Sequence, residues 1–156
     1  MHIRLQAVGD RQPSWVDAAF DGYAQRLPRQ WQFRFDSIST AQRNKGVAPE
    51  VAKSAEGVKI LAKIKPAEFV IVLDERGKQY SSKELAGLLD EWQTVGQDLV
   101  FVIGGPDGVS ADCLQRANLR WSLSKLTLPH GLARVLFAEQ LYRAWSLTTG
   151  HPYHRE

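Results

Sequence analysis

The sequence predicts a single α/β domain with a mainly parallel sheet flanked by helices. Two runs carry most of this expectation. FVIVLD (69–74) and LVFVI (99–103) are short and continuously apolar, as strands buried on both faces must be. Segments of helical period separate them from each other and from two alternating segments nearer the start, which is the order of a βα-repeated fold. The chain of 156 residues is 44% apolar and 24% charged, enough for one substantial core.

The elements follow in order. HIRLQAV (2–8) alternates and predicts a strand. Pro13 then suits a first helical turn, and Val16, Phe20, Tyr23 and Leu27 share one helical face up to Pro28. WQFRFDSIS (31–39) alternates again and predicts a second strand. TAQRNKGVAP (40–49) is polar, basic and marked by glycine and proline, so it predicts a mobile loop. Residues 50–63 predict a helix carrying Lys53, Lys59 and Lys63. After the 69–74 strand, ERGK (75–78) predicts a turn. Ser81 and Glu84 form a capping box, followed at helical spacing by Leu85, Leu88, Leu89, Trp92 and Val95, with Gly96 as the stop. The 99–103 strand leads into GGPDGVS, a short helix near 111–118 and a strand-like WSLS (121–124). The segment 132–147 is apolar almost all round, which places it centrally in the fold, against a partner, or both, and predicts a homodimer. Within it Glu139 and Arg143 stand four apart in the favourable order for an ion pair. Gly150 and Pro152 end that helix, so the last residues start from a fixed point.

Composition limits the function classes. The lone cysteine, Cys113, excludes an internal disulfide framework, and no Cys/His grouping has structural-zinc spacing. The first residues read as a strand rather than a signal peptide, and no run has the length of a membrane span. A cytoplasmic setting is the expectation. The net charge of +3 is unevenly placed: residues 1–66 carry 11 Lys/Arg against 6 Asp/Glu, and residues 67–156 carry 9 against 11. A basic first half suits phosphates, although a solvated surface gives the same count.

Three loops follow the carboxyl ends of predicted strands: LDERG after Leu73, GGPDG (104–108) after Ile103, and SKLTLPHG after Leu123. In a parallel α/β sheet ligands bind at such ends, so their convergence predicts one pocket. GGPDG is not GxGxxG and lacks the Lys-Ser/Thr of a phosphate-binding loop; alone it reads as a tight turn. LSKLTLPHG (123–131) places three leucines in a segment that Pro129 keeps out of helix. Such a loop can sandwich a flat heteroaromatic ring while its free backbone groups bond the ring's edge, or it can simply be buried as core. The tail HPYHRE (151–156) gathers proton-handling and anion-pairing groups where chain ends are usually uninformative. His151 and His154 are two ligands at most, too few for a metal site, and Asp74, Glu75 and Asp107 read as turn residues rather than magnesium ligands.

VIGGPDGVS, the run WSLSKLTLPHGLARVLFAEQLYRAWSLTTGHPYHRE and the opening LQAVGDRQPSWVDAAFDGY together resemble the RlmH-type ribosomal RNA methyltransferases of the SPOUT class. The resemblance covers nearly the whole chain, is closest in the C-terminal third and is loose between about residues 40 and 66. It implies that residues 1–156 form one SPOUT-type domain with a C-terminal trefoil knot, which general rules of chain topology would not suggest. It implies S-adenosyl-L-methionine as cofactor, held at Leu73, Gly104, Leu123, Ser124, Lys125, Leu126, Thr127 and Leu128, and no metal. It further implies a homodimer that methylates N3 of a pseudouridine in a stem-loop of 23S rRNA, in the large subunit or assembled ribosome.

Under that resemblance the tail acquires a task. N3 of a neutral pseudouridine carries a proton and is a poor nucleophile until it leaves, so a base is needed, and histidine suits that near neutral pH. The expected catalytic residues are His154 as base, with His151 the lesser candidate, Arg155 pairing with phosphate or developing negative charge, and Tyr153 stacking on or bonding to the flipped base. His130, beside Pro129, reads as a satisfied loop histidine. Two other classes compete. One is a ribosome-associated RNA-binding module without catalysis, which would not hold the methyl donor. The other is a nucleotide-binding enzyme with GGPDG as phosphate cradle, which the missing lysine and the apolar 123–128 loop oppose.

Overall fold

In the computed structural model, which describes residues 1–154, five parallel strands form one sheet in the order β2-β1-β4-β3-β5. In chain order the elements are β1 (Ile3–Val8), α1 (Ser14–Ala24), β2 (Arg34–Ile38), α2 (Pro49–Ala62), β3 (Phe69–Gln79), α3 (Ser82–Val95), β4 (Leu99–Ile103), α4 (Ala111–Arg116), β5 (Leu119–Ser122) and α5 (His130–Thr149). The fold class expected from the sequence is the one observed.

Period-two alternation sorts the central strands onto two cores. Ile71, Leu99, Phe101 and Ile103 face one layer, where Phe20, Leu89, Phe137 and Leu141 close over them. Val70, Val72, Val100 and Val102 face the other, against Ile60 and Cys113. Helix α5 lies between α1 and α3 on the first face, which explains its composition: the sheet covers one side of it and two helices cover its flanks. The Arg143–Glu139 ion pair on it forms at 2.7 Å. Its outer side leaves Leu132 and Leu136 partly exposed, near 40% each, and Trp15 of α1 is 56% exposed.

The capping box of α3 is present: the Glu84 amide donates to Ser81 Oγ at 3.1 Å and the Ser81 amide donates to Glu84 Oε2 at 2.7 Å. Gly96 closes that helix with φ of 75°. Of its predicted apolar face, Leu85, Leu89 and Trp92 are buried, Leu88 is half-buried and the last residue, Val95, is exposed.

Four boundaries differ from expectation. The segment 31–39 opens with a short 3-10 turn (Arg29–Trp31) that buries Trp31, so β2 begins only at Arg34. The long helix starts at His130, directly after Pro129, so His130 is a helical residue and not a loop one. Strand β5 spans Leu119–Ser122, earlier than WSLS suggested. The largest difference is ERGK, which does not turn the chain back: β3 runs on through Gln79. Leu73 and Lys78 both pair with Trp121, so residues 74–77 form an irregularity that is extra to the ladder with β5, and the strand then resumes. Gly77 permits it, because a Cβ there would lie 2.7 Å from the Arg120 carbonyl carbon.

Candidate functional site

Strands β4, β3 and β5 are adjacent, so their carboxyl ends bring the three predicted loops together. Between them lies a cleft of about 700 Å³. Leu73, Gly104, Leu123, Ser124, Leu126, Thr127 and Leu128 all line it, whereas the Lys125 side chain does not and is exposed. The β3 irregularity places Asp74, Glu75 and Arg76 along the same wall.

Each loop has a local cause. The Gly108 amide donates to the Gly105 carbonyl at 3.0 Å, and Gly108 has φ of +86°. A Cβ on Gly104 would lie 2.6 Å from the Gly108 backbone, so only glycine allows this turn to fold on itself. In the leucine loop, Ser122 Oγ donates to the Ser124 carbonyl at 2.9 Å and the Leu126 amide donates to Ser124 Oγ at 3.0 Å. These bonds hold the loop open over the cleft with Leu126 73% exposed, an apolar surface suited to a flat ring. Thr127 Oγ1 bonds Glu75 Oε2 at 3.3 Å and joins this loop to the β3 irregularity. Asp74 accepts from the Arg76 amide at 3.1 Å through Oδ1, while its Oδ2 is buried with no protein partner. This oxygen is an unused acceptor on a residue of the cleft wall.

Sequence reasoning missed a second tier of residues. In the 40–48 segment, Arg43 donates to Glu56 at 2.8 and 2.9 Å and through Nε to Asp107 at 2.8 Å. Glu56 is buried in α2 and also accepts from the Ala41 amide at 2.9 Å. Its carboxylate lies against the GGPDG turn, since a Cβ on Gly105 would be 2.9 Å from Oε1. Arg43 is therefore committed to two carboxylates rather than free for phosphates, and it latches the basic segment to the turn that lines the cleft. Arg43→Ala strands the Glu56 carboxylate, and we expect a stability loss of roughly 2–4 kcal/mol in denaturant titration. The signal in the sequence was only a Glu on an otherwise apolar helical face.

His130 forms a third tie. Arg134 Nη2 lies 2.9 Å from His130 Nε2, and because a guanidinium only donates, Nε2 is the acceptor. Of the influences on this ring, only the Gly104 backbone favours the charged form, and it is outweighed. Burial first, and then the Arg134 charge, hold His130 below its usual value near 6.5. The sign follows: the native state resists a proton that the unfolded chain accepts. The stability this contributes is present above about pH 6.5 and is lost as pH falls toward the lower native value. His130→Asn should flatten that acid loss in a series of melts between pH 7 and pH 5.

The tail is elsewhere. Tyr153 Oη donates to Glu139 Oε1 at 3.0 Å, its ring packs 4.6 Å from Tyr142, and the Arg143 guanidinium covers it at 5.2 Å. Burial, then Tyr23 and Glu139, raise the phenol far above its usual range. His151 Nδ1 accepts from the Tyr153 amide at 3.2 Å, and its ring lies 5.5 Å from that of Trp145. His154 Nδ1 lies 3.0 Å from Ser146 Oγ, whose own proton goes to the Arg143 carbonyl at 2.7 Å. That contact is satisfied by Nδ1–H donating to the serine oxygen, the tautomer whose Nε2 carries the free lone pair. Arg155 lies outside the described residues. Among the described residues, His151, Tyr153 and His154 line neither this cleft nor the cavity beside it. His130 at the cleft and Ser146 beneath the tail are sixteen helical residues apart, about 24 Å at the helical rise.

Residues 1–154 match the family described as "Predicted SPOUT methyltransferase". The chain belongs to the SPOUT methyltransferase family. Within it, "Ribosomal RNA large subunit methyltransferase H" of Thioalkalivibrio sulfidiphilus is 47% identical over the whole of both chains. The protein of the same name from Alkalilimnicola ehrlichii is 50% identical over 99% of both. Among solved structures, a probable methyltransferase from Bordetella pertussis superposes with a TM-score of 0.56 at 16% identity, covering 92% of this chain and 95% of that one. A probable methylase family protein from Haemophilus influenzae gives the same TM-score at 11% identity, covering 99% of this chain and 70% of that one. These two likenesses concern the SPOUT fold. Among the described residues no group of three or more His, Cys, Asp or Glu is placed to hold a metal ion, and no helix is long and apolar enough to cross a membrane.

Proposed function

We propose that this SPOUT methyltransferase uses S-adenosyl-L-methionine to methylate N3 of a pseudouridine in 23S rRNA of the large ribosomal subunit, in the cytoplasm, as a homodimer. The full-length relatives named for the large-subunit rRNA support the substrate class. The observation that carries the dimer is the distance between cleft and tail. A base fixed at one end of a 20-residue helix cannot serve a cleft at the other end of the same helix. The site is complete only when a second copy brings its own tail to this cleft. Leu132, Leu136 and Trp15 on the outer side of the helical layer are apolar surface for that copy to cover. The C-terminal segment from β5 onward is the part we assign to the trefoil knot.

The cleft fits the donor. The leucine loop offers apolar walls for an adenine ring and backbone groups for its edge. The unpaired Asp74 oxygen offers an acceptor for a hydroxyl or ammonium and a negative field near a sulfonium. The donor, when bound, supplies a methyl group already activated as a leaving fragment. The chain's own work is then alignment, exclusion of water and removal of one proton. His154 takes the N3 proton through Nε2, with its orientation set by Ser146. Tyr153 is the anchor that fixes the tail, since both its ring and its hydroxyl are engaged. Arg155 meets phosphate or the charge that builds on the uracil oxygens.

Mass spectrometry of large-subunit rRNA from cells with and without the gene tests this reading. The expected result is one pseudouridine that loses a methyl. Identical modification in both strains would refute it. Calorimetry with S-adenosyl-L-methionine separates it from a non-catalytic RNA-binding module, which has no reason to hold the donor.

A further inference from the structure

A second cavity, of about 580 Å³, adjoins the donor cleft and shares Pro106 and His130 with it. Val8, the turn Gly9–Gln12 and Thr40 form the rest of its lining. In-line methyl transfer needs the nucleophile about 3–3.5 Å from the methyl carbon, so the acceptor must occupy space contiguous with the donor. The cavity has the size of a small-ligand pocket. At its rim Arg11 is exposed and has no ion-pair or hydrogen-bond partner among the described residues, as a group that meets a phosphate would be.

Behind the cavity wall stands a buried cation. Arg134, in the first turns of α5, is 3% exposed. Its Nη2 donates to the Gly9 carbonyl at 3.2 Å and to His130 Nε2 at 2.9 Å, and its guanidinium lies 4.8 Å from the centre of the Phe35 ring. Its Nε has no partner, and no carboxylate lies within ion-pair distance among the described residues. Asp17 of α1 acts on it only at longer range. An uncompensated buried charge is costly to a fold, and it sustains a positive potential in a region of low dielectric. The residues that Arg134 holds, Gly9 and His130, are themselves cavity lining.

We propose that this second cavity receives the acceptor base, a uracil-type ring, and that Arg134 is a positioning residue whose fixed charge stabilises the ring anion formed at N3. This rests on the reading under Proposed function. In the step, the N3–H proton passes to a base, which we assign to the partner copy's tail. The N3 lone pair forms the N–C bond to the methyl group. The C–S bond breaks with its electron pair left on sulfur, giving a neutral thioether. The proton then leaves the base to water. His130 is not that base, since its Nε2 already accepts from Arg134 at 2.9 Å. It lines both cavities and is tied through Arg134 to the acceptor turn at Gly9.

The test uses the full-length protein, S-adenosyl-L-methionine and ribosomes lacking the methyl. Thr40→Trp fills the cavity from an exposed position. We expect donor affinity within twofold of wild type and kcat/KM for ribosomes lowered tenfold or more. Unchanged kcat/KM, or lost donor binding, would overturn the assignment of the cavity. Arg134→Met should move the acid limb of the kcat profile to higher pH by about one unit or more, with partial recovery in alkaline buffer. The titratable and charged groups facing Arg134 are Asp17 from α1 and His130 from its own helix, so the profile is also recorded for Asp17→Asn and His130→Asn, where the same shift would mean that one of these groups sets the limb. A uniform loss at every pH would make Arg134 structural only and would overturn its electrostatic role. If the wild-type protein transfers no methyl to any ribosome, the reading under Proposed function fails instead.

Discussion

We expect replacement of His154 by alanine to lower kcat for methyl transfer to ribosomes by about 10²–10⁴-fold and to leave donor affinity near wild type. The magnitude is that of a lost general base. The separation of the two effects follows from geometry, because His154 touches Ser146 and lines no donor pocket. Tritium transfer from labelled donor reads the first effect and calorimetry the second. Ser146→Ala should lower kcat less, since it frees the tautomer and the ring orientation without removing the base. The proposed dimer makes a sharper version possible. A copy carrying His154→Ala and a copy carrying a defective donor cleft should each be strongly impaired alone when the donor is kept below the Kd of the defective cleft. Mixed, they should recover part of the activity, because one cleft in the mixed dimer receives an intact tail. Complete absence of recovery, with mixed dimers demonstrated by mass, would place the tail and the cleft it serves in the same copy.

The cleft defect for that experiment is Gly104→Ala, which we expect to weaken donor binding by about ten- to a hundredfold. A Cβ at this position would stand 2.6 Å from the Gly108 carbonyl carbon and oxygen, which are backbone atoms and cannot rotate aside. The turn has to shift, at a cost of about 1–3 kcal/mol, and each 1.4 kcal/mol of that cost taken from binding is tenfold in affinity. Gly108→Ala, by contrast, meets no neighbour within 4 Å and is opposed only by its positive φ, so a smaller loss is expected there. Equal losses at the two glycines would mean that backbone freedom, not the close approach, sets the requirement.

The elements of the fold were legible because each rests on local chemistry. The β4 run is continuously apolar because both faces of that strand are covered. Ser81 and Glu84 announce α3 within four residues. The cleft loops were legible for the same reason, since they follow the ends of strands that sit side by side. ERGK misled because a glycine between charged residues has the composition of a turn. In the fold, that glycine serves a close approach by β5, from more than forty residues away in the chain. Lys125 shares a loop with residues that line the cleft, and its side chain is exposed. The basic 40–48 segment suggested phosphate contact by composition, yet Arg43 is consumed by Glu56 and Asp107.

By itself the sequence determined the α/β class, the parallel sheet, the three loops of the cleft and the groups available in the tail. Periodicity, capping and glycine placement act over a few residues, so a linear reading can find them. Only the tertiary structure decided which groups meet. It joined Arg134 to Gly9 across 125 residues, set Glu56 beneath the GGPDG turn, and held Tyr153 and His154 at the far end of α5 from the cleft. Such pairings depend on sheet order and helix packing, which bring distant residues together without marking either of them in the sequence.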